Sequence, residues 1–255
     1  MKLRLKGAET YIEAYGPGSV SLTFVRSLRT GETDAWNSGH NTLPTLAVRL
    51  GRAEFFKNCR RGIYVFLDRI DAIGSREQSW RVVRIGTHSV KTGGSKSTLW
   101  GRLRQHKGSL RDGGGNHRGS IFRLLVGDAL IEKEGLRDRF PHWGIKGSAT
   151  QEIQQSELPL EQKVSSYIRQ LPFLVIKVDP ATDGPEHRAY LERNLIALLS
   201  SARNDRGTDW LGNYSTRTAV RESGLWNNNH VGEEYDPAFL DLLEYYVQDM
   251  RNGRT

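Results

Sequence analysis

The sequence predicts an α+β protein with a small mixed three-stranded sheet flanked by helices. Three short segments carry this prediction, namely residues 63–67 (IYVFL), 81–85 (RVVRI) and 173–178 (FLVIKV). Each is rich in β-branched and aromatic residues, which is typical of buried strands. Helix-like segments separate the second strand from the third. The predicted order from Gly62 to Ser200 is therefore β-β-α-α, an insertion, and β-α.

Strands are also predicted before this core and helices within and after it. Residues 20–26 and 45–50 have strand character. Local capping residues predict where helices start, because Ser, Thr and Asp side chains satisfy free backbone N–H groups. The predicted helices cover residues 98–107 after Ser97, 120–132, 160–171 before Pro172, a segment from the Asp183/Glu186 capping box to Leu199, and a last helix from Pro237.

The element order suggests a division of the chain. We expect a β-rich N-terminal extension over residues 1–58, a catalytic core over 59–204 with an insertion at 134–170, and a C-terminal extension over 205–255 packed on the core. No long linker separates these parts. One compact domain with a strand extension and helical insertions is therefore expected.

The charge of the chain makes nucleic acid the first partner to consider. The 255 residues include 37 Lys and Arg against 29 Asp and Glu, a net charge of +8, with a mean hydropathy of -0.57. A basic protein neutralises phosphates and releases counterions, although many basic proteins bind nothing specific. Cys59 is the single cysteine, which excludes an internal disulfide and a cysteine-cluster zinc site. Without a signal-like or membrane-length apolar run, we expect a cytoplasmic protein with no membrane partner.

Two tripeptides and a basic helix form the most informative pattern. Gly62-Ile63-Tyr64 lies on the first apolar segment, and Arg84-Ile85-Gly86 closes the second. Arg102 and His106 follow at a spacing of four, which places them on one helix face beside the apolar Leu99 and Leu103. A solvated basic helix is the alternative, because Arg104 and Lys107 belong to the same segment.

This pattern resembles the catalytic core of the GIY-YIG nuclease superfamily, and within it a branch of uncharacterised bacterial and restriction-endonuclease-like proteins. The segments GTH-x-V, GNHRGSIFRL and SGLWN-x-N-H-V resemble that branch, and the resemblance covers residues 60–232. It implies a GIY-YIG-like core and a metal-dependent DNA endonuclease of a restriction, defence or repair type. It also implies Mg²⁺, with Mn²⁺ as a substitute, double-stranded DNA as partner, and a homodimer if the protein is a restriction enzyme.

The resemblance also implies roles for single residues. Tyr64 would accept the proton from water, and Arg102 and His106 match a required arginine and a histidine found one turn later in some restriction members. Glu192, on the helix after the last core strand, would be the metal ligand; a surface glutamate paired with Arg188 or Arg193 is the alternative. For the family's asparagine, Asn204 and Asn229 rank equally and Asn213 ranks behind them.

One departure concerns the second motif, where this chain has Arg84 in place of tyrosine. An arginine cannot accept a proton at neutral pH, but it can lower the pKa of Tyr64 or hold a phosphate. His88, four residues later, could orient or deprotonate the water. The base is therefore Tyr64, His88 or both. The departure also favours the alternative function, a catalytically weak or inactive nucleic-acid-binding module of the same fold.

Five further residues are predicted to contact nucleic acid: Lys96, Arg104, His117, Arg118 and Arg123. Lys96 lies in TGGSKST, which lacks the G-K-[ST] core of a nucleotide-binding loop but precedes a helix start that could bind phosphate. His117, Arg118 and Arg123 lie in NHRGSIFR beside a glycine run. A loop and a helix cap explain that segment equally well.

Overall fold

The strands form two sheets in a computed structural model of the chain. It describes residues 2–5, 10–14, 19–24, 46–49, 61–70, 79–88, 98–178, 180–201 and 209–251. The first sheet contains β1 (Lys2–Leu5), β2 (Thr10–Ala14), β3 (Ser19–Phe24) and β4 (Leu46–Arg49), paired antiparallel in that order. The predicted strands at 20–26 and 45–50 correspond to β3 and β4.

The second sheet contains the three strands predicted for the core. They are β5 (Gly62–Ile70), β6 (Ser79–Gly86) and β7 (Phe173–Lys177), in the order β6-β5-β7. The α+β fold class is confirmed. One detail of that prediction was wrong, because both pairings are antiparallel and the sheet is not mixed. The last core strand, β7, runs antiparallel to β5, so the chain between them is not a parallel crossover.

Helices follow the predicted order. They are α1 (Leu99–Lys107), α2 (Ile121–Glu134), α3 (Gln151–Gln170), α4 (Pro180–Ser201), α5 (Thr218–Ser223) and α6 (Phe239–Arg251), with 3₁₀ turns at His117–Gly119 and Leu211–Tyr214. No helix in the described part of the chain is long and apolar enough to cross a membrane.

Capping side chains explain where the helices begin. The cap of α1 is Thr98 and not the predicted Ser97, since the Thr98 hydroxyl accepts a hydrogen bond from the Gly101 N–H at 3.0 Å. Helix α3 begins at Gln151, nine residues before its predicted start, after the cap Thr150. Pro159 lies inside this helix, where it removes one backbone donor without ending the helix.

The core occupies both faces of the second sheet. Ile63, Val65 and Leu67 of β5 face one way, into an apolar cluster with β7, α4 and α6. Tyr64 and Phe66 face the other way, into a cluster with α1, α2 and α3. Alternate residues of a strand point to opposite faces, so a strand covered on both faces is continuously apolar.

A β-bulge changes which face the residues of β6 meet. Phe66 pairs with Arg84 and Leu67 pairs with Val82, which leaves one extra residue, Val83, on β6. Val82 therefore joins Ile85 in the first cluster. The guanidinium of Arg84 lies 5.8 Å from the Phe122 ring, in the second cluster. Bulges commonly re-aim a side chain in this way.

A C-terminal segment extends the second sheet beyond β6. The Trp226 N–H donates to the Val83 carbonyl at 2.6 Å. The Asn227 side chain accepts from the Ile85 N–H at 3.2 Å and donates to the Ile85 carbonyl at 3.0 Å. An amide side chain thus replaces a backbone pair, and residues 224–230 are fixed beside the end of β6.

Candidate active site

Two adjoining cavities lie at the end of β6. The larger is open, has a volume of about 1070 Å³, and is lined by Arg84, His88, Arg102 and Glu192 together with residues of α1 and α3. The smaller, of about 350 Å³, shares Arg84 and Glu192 and is completed by residues 227–230. Side chains from separate parts of the sequence therefore meet at one place.

Glu192 supplies the carboxylate shared by both cavities. Helix α4 packs through Leu191 and Leu195 on the sheet face opposite Tyr64, and Glu192 reaches the cavity at the end of β6. Its Oε1 accepts a hydrogen bond from the Thr87 N–H at 3.1 Å. Burial raises the pKa of the Glu192 carboxyl, against the opposing influence of Arg84. A bound cation would favour the ionised form.

The sequence left open an ion pair between Glu192 and Arg188 or Arg193. In the structure Arg193 has another partner. That side chain donates from Nε to Glu233 at 2.6 Å on the protein surface. Arg188 is buried, and burial lowers its pKa. The Glu192 carboxylate instead accepts its hydrogen bond from the Thr87 backbone N–H. Glu192 therefore faces the cavities and not a surface ion pair with Arg193.

Two guanidinium groups at the larger cavity are held by neutral partners. Arg84 Nη1 donates to the Trp226 carbonyl at 2.5 Å, and Arg84 Nε has no hydrogen-bond partner among the described residues. Arg102 Nη1 donates to Gln105 Oε1 at 2.6 Å and to the Gly119 carbonyl at 3.0 Å. Neither group is neutralised by a carboxylate hydrogen bond in the described chain. The hydrogen-bond acceptors of both groups are thus neutral, and both charges act on the Glu192 carboxyl of the same cavity, where they counter the burial that raises its pKa.

Tyr64 and His106 form a buried chain of hydrogen bonds with Ser120. The Tyr64 hydroxyl lies 2.8 Å from His106 Nε2, and His106 Nδ1 lies 2.8 Å from Ser120 Oγ. Ser120 also caps α2, and all three residues are buried. Burial, followed by the charges of nearby arginines, lowers the pKa of His106 well below its usual 6.5. The imidazole is therefore neutral near pH 7, with one ring nitrogen as donor and the other as acceptor.

Gly86 gives the Tyr64 hydroxyl its space. Gly86 is the cross-strand partner of Tyr64 in the β5–β6 pairing. A Cβ atom added at Gly86 would lie 2.2 Å from the Tyr64 oxygen, which is far inside contact distance. The Tyr64 phenol of the first motif therefore requires a residue without a side chain at position 86, where the second motif ends.

The predicted site residues divide into two groups. Arg84, His88, Arg102 and Glu192 line the larger cavity. Tyr64 and His106 line neither cavity and are fully buried. His106 still lies close enough to Arg84 and Arg102 for their charges to lower its pKa, so the buried chain adjoins the cavity.

Asparagines of the segment WNNNH complete the smaller cavity. Asn229, one of the two predicted candidates, lines it and is exposed. The other candidate, Asn204, lies outside the described residues. The sequence prediction missed Asn228, which lines the same cavity and has a buried Oδ1 without a hydrogen-bond partner in the described chain. It also missed the positioning role of Asn227. The run of three asparagines pointed to this segment but not to the individual roles.

The structure places the predicted nucleic-acid contacts in different surroundings. Arg104 is exposed and lines the larger cavity, whereas Lys96 lies outside the described residues. The other three belong to what we call the ion-pair network, formed by His117, Arg118, Arg123, Glu157 and Glu161.

In the ion-pair network, carboxylates of this chain bind the three side chains that were predicted to contact nucleic acid. Glu161 accepts from His117 Nδ1 at 2.9 Å and from Arg123 Nε at 2.9 Å. Glu157 accepts two hydrogen bonds from Arg118, at 2.5 and 2.9 Å. His117 and Arg123 are buried, so neither can contact DNA in this conformation. The sequence prediction overlooked the carboxylates, because they lie about 40 residues further along the chain.

Fold and cavity together define a small α+β protein with an open cavity lined by several arginines and a glutamate. The comparison with protein families agrees with this class. A family model described as the GIY-YIG domain matches residues 33–253, so the chain belongs to the GIY-YIG family. Members of this family are endonucleases that act on DNA and generally use divalent metal ions. No curated protein and no solved structure matches the chain.

Proposed function

We propose that this protein is a metal-dependent endonuclease that hydrolyses phosphodiester bonds of double-stranded DNA by attack of water on phosphorus. The observation that carries the proposal is the meeting of Glu192 with the guanidiniums of Arg84 and Arg102 at one open cavity. Phosphodiester hydrolysis needs charge stabilisation on the phosphate, a deprotonated water and, in most enzymes, a divalent cation. Restriction, defence and repair are the roles open to such an enzyme.

The oxygen atoms beside the smaller cavity fit a divalent cation. Glu192 contributes a carboxylate, and Asn228 contributes a buried amide oxygen that lacks another partner in the described chain. No group of three or more His, Cys, Asp or Glu side chains in the described chain could hold a metal ion. A site with so few protein ligands suits Mg²⁺, which keeps several waters, with Mn²⁺ as a substitute. When bound, the cation supplies charge neutralisation at the phosphate.

Arg102 and Arg84 would bind the phosphate that is cut. Guanidinium groups match phosphate oxygens with paired N–H donors. Because carbonyl and amide oxygens already hold these side chains in place, little reorganisation is needed when negative charge develops on the phosphorane. We assign phosphate binding to both arginines and stabilisation of the developing charge mainly to Arg102.

The proton of the attacking water passes to Tyr64 or to His88. His88 lines the larger cavity, where water has access. The Tyr64 oxygen bonds to neutral His106, and an Nε2–H tautomer of that ring, set by Ser120, would stabilise negative charge on the phenol oxygen. In that arrangement Tyr64 is the base and His88 orients the water.

The decisive experiment is nicking of supercoiled plasmid with Mg²⁺ or with EDTA. We expect nicking that requires the metal and is lost in Glu192→Gln, a variant that can still accept the hydrogen bond from Thr87. Glu152→Gln is the matched control, since Glu152 is exposed on α3 and lines neither cavity. Nicking that persists in EDTA or in Glu192→Gln contradicts the proposal.

A nucleic-acid-binding module without catalysis is the second candidate. Arg84 at the place of the motif tyrosine and the full burial of Tyr64 favour it. The same samples separate the two functions. A gel shift with duplex DNA, without cleavage in either Mg²⁺ or Mn²⁺, would support the binding module.

A further inference from the structure

We propose that one face of α3, formed by Gln151, Gln154 and Gln155, contacts base edges next to the scissile phosphate and selects adenine there. We call these three side chains the glutamine face. The inference rests on the proposed function, because it assigns substrate recognition to the same cavity. It concerns a segment within the insertion, which the catalytic assignment does not use.

The larger cavity extends well beyond the proposed catalytic groups. Its volume of about 1070 Å³ exceeds what a single phosphate fills, since cavities of 300–1,000 Å³ typically hold whole drug-sized ligands. Arg84 and Glu192 lie at one part of its lining, and the glutamine face belongs to the same lining. DNA bound with a phosphate at Arg84 therefore has room to continue along α3.

The charges on α3 are arranged to suit a polyanion. The helix carries several glutamates, but Glu157 and Glu161 point into the protein, toward Arg118 and Arg123. Glu152 does not line the cavity. The helix therefore presents neutral amides to the cavity, where a carboxylate would repel phosphate groups. Arg104, on α1, adds positive charge to the lining.

The amides of the glutamine face have hydrogen-bonding groups available. Positions 151, 154 and 155 share one helix face because they are three and four residues apart. All three side chains are exposed. Gln154 Nε2 donates to the Ala149 carbonyl at 2.9 Å, which leaves its Oε1 free to accept. In the described chain no side-chain hydrogen bond engages Gln151 or Gln155.

Amide side chains have a preferred base. A glutamine both donates and accepts, and this pair of groups matches N7 and N6 of adenine in the major groove. Among the described residues, Asp112 is the one carboxylate besides Glu192 that lines the larger cavity, and its Oδ1 accepts from the Gly114 N–H at 3.0 Å. Gln105 and Asn116 also line this cavity, but their amide oxygens already accept from Arg102 and from the Arg118 N–H. The glutamine face is therefore the part of the described lining best suited to distinguish bases.

Selection of bound DNA from randomised 20-base-pair duplexes in EDTA tests the inference without cleavage. We expect wild-type protein to enrich adenine at one or more positions by roughly ten-fold, the discrimination typical of a bidentate amide contact. The triple variant Gln151→Ala/Gln154→Ala/Gln155→Ala should lose this enrichment. Gln170→Ala, at the other end of α3 and outside the cavity, should retain it.

A charge substitution provides a second test that does not depend on the triple variant. Gln155→Glu should weaken duplex binding several-fold at low salt, whereas Gln170→Glu should leave it unchanged, because only the first places a carboxylate in the cavity. Equal effects of the two substitutions would overturn the inference. So would enrichment that survives in the triple variant, or wild-type binding with no base preference.

These experiments distinguish failure of the glutamine-face inference from failure of the proposed function. Enrichment of adenine by a protein that never nicks plasmid would remove the nuclease proposal and leave the glutamine face in place. Metal-dependent nicking with identical base preference in wild type and triple variant would remove the glutamine-face inference and leave the nuclease proposal in place.

Discussion

The ion-pair network and the larger cavity both contain arginines but hold them differently. In the network, Arg118 and Arg123 bind carboxylates directly. At the cavity, Arg84 and Arg102 bind carbonyl and amide oxygens. A guanidinium neutralised inside the protein stabilises the fold, whereas one oriented by neutral acceptors keeps its charge for a ligand. The partner of an arginine, more than its position near a motif, therefore indicates its role.

Among the residues at or near the cavity, substitution of the general base should cause the largest loss of cleavage rate. If Tyr64 accepts the proton, Tyr64→Phe should reduce cleavage by 10²–10⁴-fold, the usual contribution of a general base, with DNA binding retained. If His88 is the base, His88→Ala should cause that loss and Tyr64→Phe should keep substantial activity. Single-turnover cleavage, with binding measured separately, distinguishes the two. A nuclease that tolerates both substitutions would exclude both residues as the base.

Removing a carboxylate from the network should reduce stability and affect catalysis much less. Glu161→Gln leaves Arg123 buried without its anion, which typically costs about 3–5 kcal/mol in the free energy of unfolding. Burial by itself would raise the pKa of Glu161, but its hydrogen bond with His117 and the Arg123 charge lower it overall.

The lowered pKa of Glu161 gives this prediction a pH dependence. The stabilisation by the ionised carboxylate is present above the unfolded value of 4.5 and is lost as pH falls through the lower folded value. Urea unfolding should therefore show a large difference between wild type and Glu161→Gln at pH 7 and a smaller one in acid. Equal stability at pH 7 would contradict the role given to the network.

The opposite result is expected for an arginine at the cavity. Arg102→Lys keeps the charge but loses the fork of N–H donors, and should lower the cleavage rate by about 10²–10³-fold. Thermal unfolding should change little, because the side chain is half-exposed and has no ion-pair partner in the described chain. Arg139→Lys, at an exposed position that lines neither cavity, is the control and should leave the rate nearly unchanged. A large loss of stability in Arg102→Lys would place this arginine with the structural group.

The smallest predicted effect is the pH dependence of stability from His106. Its folded pKa lies well below 6.5, so unfolded chains take up a proton more readily as pH falls below 6.5. Stability is therefore complete well above pH 6.5 and decreases as the pH falls through 6.5 toward the folded pKa. His106→Gln should flatten this part of the stability profile, whereas His142→Gln, at an exposed position, should not. An unchanged profile in His106→Gln would contradict the buried neutral state.

The sheet and the helix order could be predicted from the sequence because they depend on local patterns. The apolar segments at 63–67, 81–85 and 173–178 are strands, and the spacing of Arg102 and His106 places both on α1. The β-bulge could not be predicted, since it results from how β5 and β6 align their faces against two clusters.

Long-range partners explain the remaining differences at the candidate site. His117 and Arg123 resembled DNA contacts because their carboxylate, Glu161, lies on α3, about 40 residues further along the chain. Asn228 could not be selected over Asn229 without the position of the cavity. Local sequence identifies groups with suitable chemistry, whereas burial and partners, which decide their use, depend on tertiary contacts.

The attachment of residues 226 and 227 to β6 has a consequence for synthesis of the protein. Asn227 binds both backbone groups of Ile85, and Asn228 beside it completes the smaller cavity with Glu192. A nascent chain emerges from the ribosome N-terminus first, so Tyr64 and Arg102 are available long before this closing segment. The candidate site is therefore completed only after residues 226–228 have been synthesised. Polypeptides terminated before these residues would lack the complete candidate site.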